Sequence, residues 1–174
     1  MNYFEAIKQS MENLAKDPKT VFLGYNITHG SRAYGTLSTI PLDRCLETPV
    51  AENLIIGLAI GMSLEGFHPV VFFERHDFIL NSLDSIVNHL EKAENMSDGE
   101  FNPRVLIRAT VGGKVPFNPG PQHTQDFSEI LRKLMKIPSY DLKSVDDILR
   151  TYSNVQDFKN SVLLIERKDL YPSK

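Results

Sequence analysis

Four short runs of unbroken apolar residues, set among segments of helical period, leave few architectures open to this chain. Val21-Phe22-Leu23, Pro69-Val70-Val71-Phe72-Phe73, Val105-Leu106-Ile107-Arg108-Ala109 and Val162-Leu163-Leu164-Ile165 show no alternation of apolar and polar side chains, and only Arg108 interrupts them. A strand that is apolar on both sides must be covered on both sides. The segments between the runs supply the cover. The pattern therefore predicts an α/β fold: a doubly wound, mostly parallel sheet with helices on both faces.

The helical segments are read from spacing and from caps. Phe4, Ile7, Met11 and Leu14 recur every three or four residues, and Asn2 with Glu5 has the spacing of a capping box, which predicts a helix over 2–15 ended by Asp17-Pro18. Thr48 as N-cap and Pro49 at the first helical position predict a second helix that runs to about Glu65 and stops at Gly66. Ile79, Leu83, Ile86, Val87 and Leu90 predict a third over 78–94. Phe127, Ile130, Leu131 and Leu134 mark a fourth, and Ser144 with Asp147 starts a last one before Ile148 and Leu149. Gly57 and Gly61 fall inside the second helix, where close packing is the plain reading.

At 174 residues and 41% hydrophobic content, the chain suffices for one domain with a full core, and no repeat or linker suggests another. A net charge of −3 with no run of Lys and Arg argues against nucleic acid as a partner. The apolar stretch over 54–64 is too short for a membrane span, which takes about 20 residues. Neither a signal peptide nor a disulfide partner for the single cysteine, Cys45, is visible, so a cytoplasmic location is expected.

In such folds ligands bind outside the carboxyl ends of the strands. Residues 25–49, 74–78 and 110–125 lie there. No phosphate-binding glycine loop, metal-spaced Cys/His cluster or nucleophile elbow occurs among them. His76 and His123 follow strands, and His123 stands in the stiff Asn118-Pro119-Gly120-Pro121-Gln122-His123 segment, which suits a preorganised site residue.

Glu47-Thr48-Pro49-Val50-Ala51-Glu52, Gly57-Leu58-Ala59-Ile60-Gly61, Gly66-Phe67-His68-Pro69-Val70-Val71, Phe78, Asp84, Asn88, Met96-Ser97-Asp98-Gly99, Arg108 and Gln122-His123-Thr124-Gln125-Asp126-Phe127 occur in an order and spacing that resemble one family. It is the transketolase-like pyrimidine-binding domain found in the beta subunits of thiamine-diphosphate-dependent 2-oxo acid dehydrogenases. The resemblance covers nearly the whole chain but is poor over 25–46 and 111–118.

The resemblance implies that Glu52 is both cofactor-binding and catalytic, sharing a proton with the aminopyrimidine ring of thiamine diphosphate. Such a role needs a carboxyl shielded from water. It implies that Phe78 stacks on the same ring and that His123 is a second catalytic residue beside the reacting acid. Arg75, His76 and Gln122 are substrate-proximal by position. Arg75 and His76 depart from the family pattern, placing extra positive charge beside Phe78.

The family's diphosphate half carries Gly-Asp-Gly and a downstream Asn that hold Mg2+. Ser97-Asp98-Gly99 only echoes it, so no metal ligand is assigned here, and the metal is expected mainly on a separate partner subunit. The C-terminal domain usual in the family is expected to be absent, because the sequence stops just past its last strand. The reading is one subunit of a heterotetramer or larger assembly that decarboxylates a 2-oxo acid and transfers an acyl or aldehyde unit. Part of the apolar surface would then lie at a subunit interface. The alternative is a non-catalytic assembly or regulatory subunit that keeps the fold.

Overall fold

The computed structural model describes residues 1–114, 117–155 and 158–171. Six parallel strands, β1 (Thr20–Gly24), β2 (Cys45–Glu47), β3 (His68–Phe73), β4 (Leu106–Val111), β5 (Ser139–Asp141) and β6 (Val162–Arg167), form one sheet in the order β2-β1-β3-β4-β6-β5. The helices are α1 (Tyr3–Leu14), α2 (Glu52–Leu64), the short α3 (Ala93–Met96), α4 (Ser128–Leu134) and α5 (Val145–Asn154).

The unbroken apolar runs divide by parity, because successive side chains of a strand point to opposite faces. Phe22, Val70, Phe72, Leu106, Val162 and Leu164 pack with Ile7, Met11 and Leu14 of α1 and Ile148 and Tyr152 of α5. Leu23, Val71, Phe73, Ile107, Ala109, Leu163 and Ile165 pack on the other face with Ile55, Ile56 and Ala59 of α2 and Leu131 of α4. The doubly wound fold is thus as the sequence predicts.

The Asn2–Glu5 capping box closes in both directions, each bond 2.9 Å long. At α5, Ser144 accepts from the Asp147 amide at 3.1 Å, but the Asp147 carboxylate reaches the Lys143 amide instead of that of Ser144, so this box stays half formed.

Several elements differ from expectation. Helix α2 starts at Glu52, not at Pro49, because the Thr48 amide donates to the Gly24 carbonyl at 2.8 Å and holds the backbone beside β1. The proline that follows favours the same extended state. The segment predicted as one helix over 78–94 is a 3-10 stretch over His76–Ser82, a π-helical turn over Ser85–Leu90 and then α3. The Ser82 hydroxyl donates to the Ile79 carbonyl, and that of Ser85 donates to Asn53 on α2, so side chains compete with regular helical bonding. Ile79, Ile86 and Leu90 are buried nonetheless. The connection over 25–44 is packed rather than open. Ile27, Ala33, Leu37 and Ile40 are buried there, and Arg32 donates to the carbonyls of Ile27 and Ile40. Arg32, Ala33, Tyr34 and Gly35 all have φ between 48 and 86°, a left-handed turn that brings Tyr34 over the carboxyl edge of the sheet.

Candidate functional site

The carboxyl ends of β1, β2 and β3 bring three side chains into one cluster. Tyr25 directly follows β1, Glu52 opens α2 after β2, and Asn81 lies in the 3-10 stretch after β3. Glu52 is 3% exposed. Its carboxylate accepts from the Tyr25 hydroxyl at 3.4 Å on Oε1 and from Asn81 Nδ2 at 3.3 Å on Oε2. Both donors are neutral and both bonds are long. Among the described residues no Lys, Arg or His lies within ion-pair distance of Glu52. The Tyr25 phenol is pushed well above the usual tyrosine range, first by burial and then by the Glu52 charge, so it remains a hydroxyl donor. Tyr25 and Asn81 escaped the sequence reading. Their signal was position alone: one directly follows a strand, and the other stands three residues past Phe78.

Phe78, three residues before Asn81 along the chain, meets His123. Both are half-buried, and their rings lie 5.3 Å apart with the planes at 83°. His123 Nδ1 is buried and has no partner among the described residues. The segment carrying His123 is anchored by the Gln125 amide and side chain, which donate to Asp77 at 2.9 and 3.3 Å. Gly112 permits the approach of that segment to β4, since a Cβ there would stand 1.9 Å from the His123 carbonyl oxygen. Gln122 is exposed on the same turn.

Arg75 and His76 separate. The Arg75 guanidinium is half-buried and lies 5.7 Å from the centre of the Tyr34 ring. His76 turns inward instead. It is fully buried, its ring stacks on Phe127 at 6.3 Å, and Nδ1 accepts from the Phe127 amide. Burial lowers its pKa despite the opposing charges of Asp126 and Asp77. The positive charge expected beside Phe78 is therefore carried by Arg75 without help from His76: the 3-10 winding rotates the neighbour into the core.

On the surface next to the cluster, α2 shows an apolar stripe. Leu54, Leu58 and Leu64 are exposed, and Cβ atoms at Gly57 or Gly61 would meet nothing within 4 Å. The close packing read from these glycines does not occur among the described residues. No group of three or more His, Cys, Asp or Glu side chains converges as a metal site among the described residues. None of the described helices is long and apolar enough to cross a membrane.

No family model matches the chain. It is 32% identical over 133 residues to the mitochondrial pyruvate dehydrogenase E1 component subunit beta of Saccharomyces cerevisiae, a match that covers 74% of this chain and 36% of the relative. It is 26% identical over 182 positions to the 2-oxoisovalerate dehydrogenase subunit beta of Bacillus subtilis, covering 98% of this chain and 53% of the relative. The chain thus spans about half or less of the length of these curated relatives. Among solved structures, a split-gene transketolase described as an inactive beta4 tetramer superimposes with a TM-score of 0.73 at 18% identity, over 97% of this chain and 52% of that one.

Proposed function

We propose that this chain, a homologue of 2-oxo acid dehydrogenase beta subunits with a transketolase-like fold, is the pyrimidine-binding part of a thiamine-diphosphate enzyme. The observation that carries the reading is the Glu52 cluster: a carboxylate withdrawn from water, with no cation within ion-pair distance among the described residues, together with the Phe78 ring and an unpartnered His123 nitrogen on segments that follow the neighbouring strands β3 and β4. These groups fit an aminopyrimidine. Glu52 would hold its ring nitrogen through one proton, and Phe78 would lie against its face.

When bound, thiamine diphosphate supplies a thiazolium that stabilises carbanion charge next to a carbonyl carbon. This chain's residues do the rest of the work on their side of the cleft. Glu52 holds and exchanges the proton on the pyrimidine nitrogen. Burial keeps water from competing for that proton, and Tyr25 and Asn81 orient the carboxylate. His123 meets the reacting 2-oxo acid or the acceptor of its acyl or aldehyde unit. Gln122, exposed on the same turn, flanks the entry to that site.

The diphosphate and Mg2+ would belong mainly to a separate subunit with the Gly-Asp-Gly and Asn pattern, as the family resemblance implies. That subunit seats against the apolar face of α2, in a heterotetramer or larger assembly. The free Cys45 is in keeping with a cytoplasmic location. Glu52→Gln tests the assignment. With the partner subunit present, turnover of a 2-oxo acid is expected to fall by about 10²–10⁴-fold, whereas full turnover contradicts the proton role.

A further inference from the structure

Arg75 is the charged group at the carboxyl edge that the proposed chemistry leaves unused. Its guanidinium has no hydrogen-bond acceptor and no carboxylate within ion-pair distance among the described residues, and it lies over the face of Tyr34. The carboxylates around it have other donors, apart from the buried Asp77 Oδ2, which has none among the described residues. Glu74 accepts from Asn26 at 2.8 Å and Ser31 at 3.5 Å, Asp77 accepts from Gln125, and Asp169 accepts from the Lys114 amide at 3.2 Å. A second cation stands on the same aromatic ring, with Lys168 Nζ 4.2 Å from the centre of Tyr34 and 4.6 Å from that of Tyr171. Two cations therefore share one ring in a chain whose net charge is −3.

The place of Arg75 is also defined. A Cβ on Gly112 would lie 3.6 Å from Arg75 Nη1 and 1.9 Å from the His123 carbonyl oxygen, so the guanidinium borders the turn that carries His123. The Phe78 amide donates to the Arg75 carbonyl at 3.2 Å, fixing Arg75 next to Phe78 along the chain. Stacking on Tyr34 holds the guanidinium without using its N–H donors. A planar fork of donors held in this way matches an oxyanion, carboxylate or phosphate, better than any neutral group.

We propose that Arg75 binds a second anionic group on the substrate, at the end away from the reacting carbonyl, so that the preferred donor is a 2-oxo dicarboxylate or a phosphorylated ketose and not a simple 2-oxo monoacid. The inference rests on the proposed cofactor role but is judged separately from it.

The test uses the complex with the partner subunit and three donors: pyruvate, 2-oxoglutarate and fructose 6-phosphate. The wild-type complex is expected to favour one of the two dianionic donors, and which one distinguishes carboxylate from phosphate. Arg75→Gln is expected to lower that preference, taken as the ratio of kcat/KM for the favoured donor over pyruvate, by about tenfold or more, and Arg75→Lys to restore part of it. A wild-type preference for pyruvate, or a ratio unmoved by Arg75→Gln, overturns the inference. If no donor turns over, the proposed activity fails, and calorimetry of the complex with glutarate and with glycerol 3-phosphate decides the subsite. Binding weakened about tenfold by Arg75→Gln supports it; no binding, or equal binding by both proteins, overturns it.

Discussion

Two glutamates in this chain are withdrawn from water, Glu166 at 0% exposure and Glu52 at 3%, and they are satisfied in opposite ways. Glu166, on β6, accepts from Arg108 on β4 at 2.7 and 3.1 Å, from Tyr152 of α5 at 3.2 Å and from Tyr171 at 2.6 Å. Burial works against the Arg108 charge, but Glu166 more than restores it, and the guanidinium also lies 5.0 Å from the Phe72 ring. Glu52 has two neutral donors at 3.3 and 3.4 Å. One carboxylate is completed by its own chain under α1 and α5; the other sits at the strand ends with charge still to be matched. The contrast separates an ion pair closed within the chain from a carboxylate held by neutral donors alone, the one proposed to receive a ligand, although burial alone would rank the two alike.

The largest expected effect breaks the Arg108–Glu166 pair. Arg108→Met strands Glu166 in the core and is expected to destabilise the fold by about 3–5 kcal/mol in urea denaturation, whereas replacing both partners by apolar residues recovers most of that loss. A small effect of the single substitution would mean that Glu166 is not the structural carboxylate of the comparison. On the receptive side, His123→Ala is expected to lower turnover of the complex by about 10²-fold or more while leaving unfolding within about 0.5 kcal/mol. A matching loss of stability would make His123 a packing residue. Tyr25→Phe removes one neutral donor from Glu52. Steady-state kinetics should show a loss of about threefold to tenfold, equivalent to about 0.5–1.5 kcal/mol.

The smallest effects are in pH dependence. His76 has a folded pKa below its unfolded value of about 6.5, because burial disfavours its charge. The unfolded chain then binds the proton first, so stability declines as pH falls below about 6.5 until the folded pKa is reached. His76→Leu should flatten that part of the curve. Asp126 has the opposite sign. Burial raises its pKa, but bonds from Ser128 and Arg167 outweigh burial and hold it at about 2. Its contribution is present above the ordinary aspartate range of about 4 and is lost as pH falls towards 2. Thermal unfolding of Asp126→Asn between pH 2 and 7 checks this.

What the sequence made legible follows from the same contrast between local pattern and tertiary contact. Both faces of the four central strands were apolar, so their burial and the two-sided cover could be read directly. Strands β2 and β5 could not: each is a three-residue edge strand with exposed or half-buried side chains and no apolar run. The start of α2 depended on a bond between Thr48 and Gly24, residues far apart along the chain. Apolar spacing after β3 identified Ile79, Ile86 and Leu90 as inward, yet three windings share nearly that spacing, and the actual one sent His76 into the core. Glu52 and Phe78 were singled out through family resemblance, and His123 first by its stiff loop after a strand and then by the same resemblance. Tyr25 and Asn81 became visible only when the strand ends were brought together.

Titration of thiamine diphosphate with Mg2+ into the complex of this chain and a partner bearing the Gly-Asp-Gly and Asn pattern tests the central claim most directly. The account predicts saturable binding that requires both chains and weakens by about tenfold or more in Glu52→Gln. Equal binding by the partner alone, or an affinity indifferent to Glu52, would contradict it.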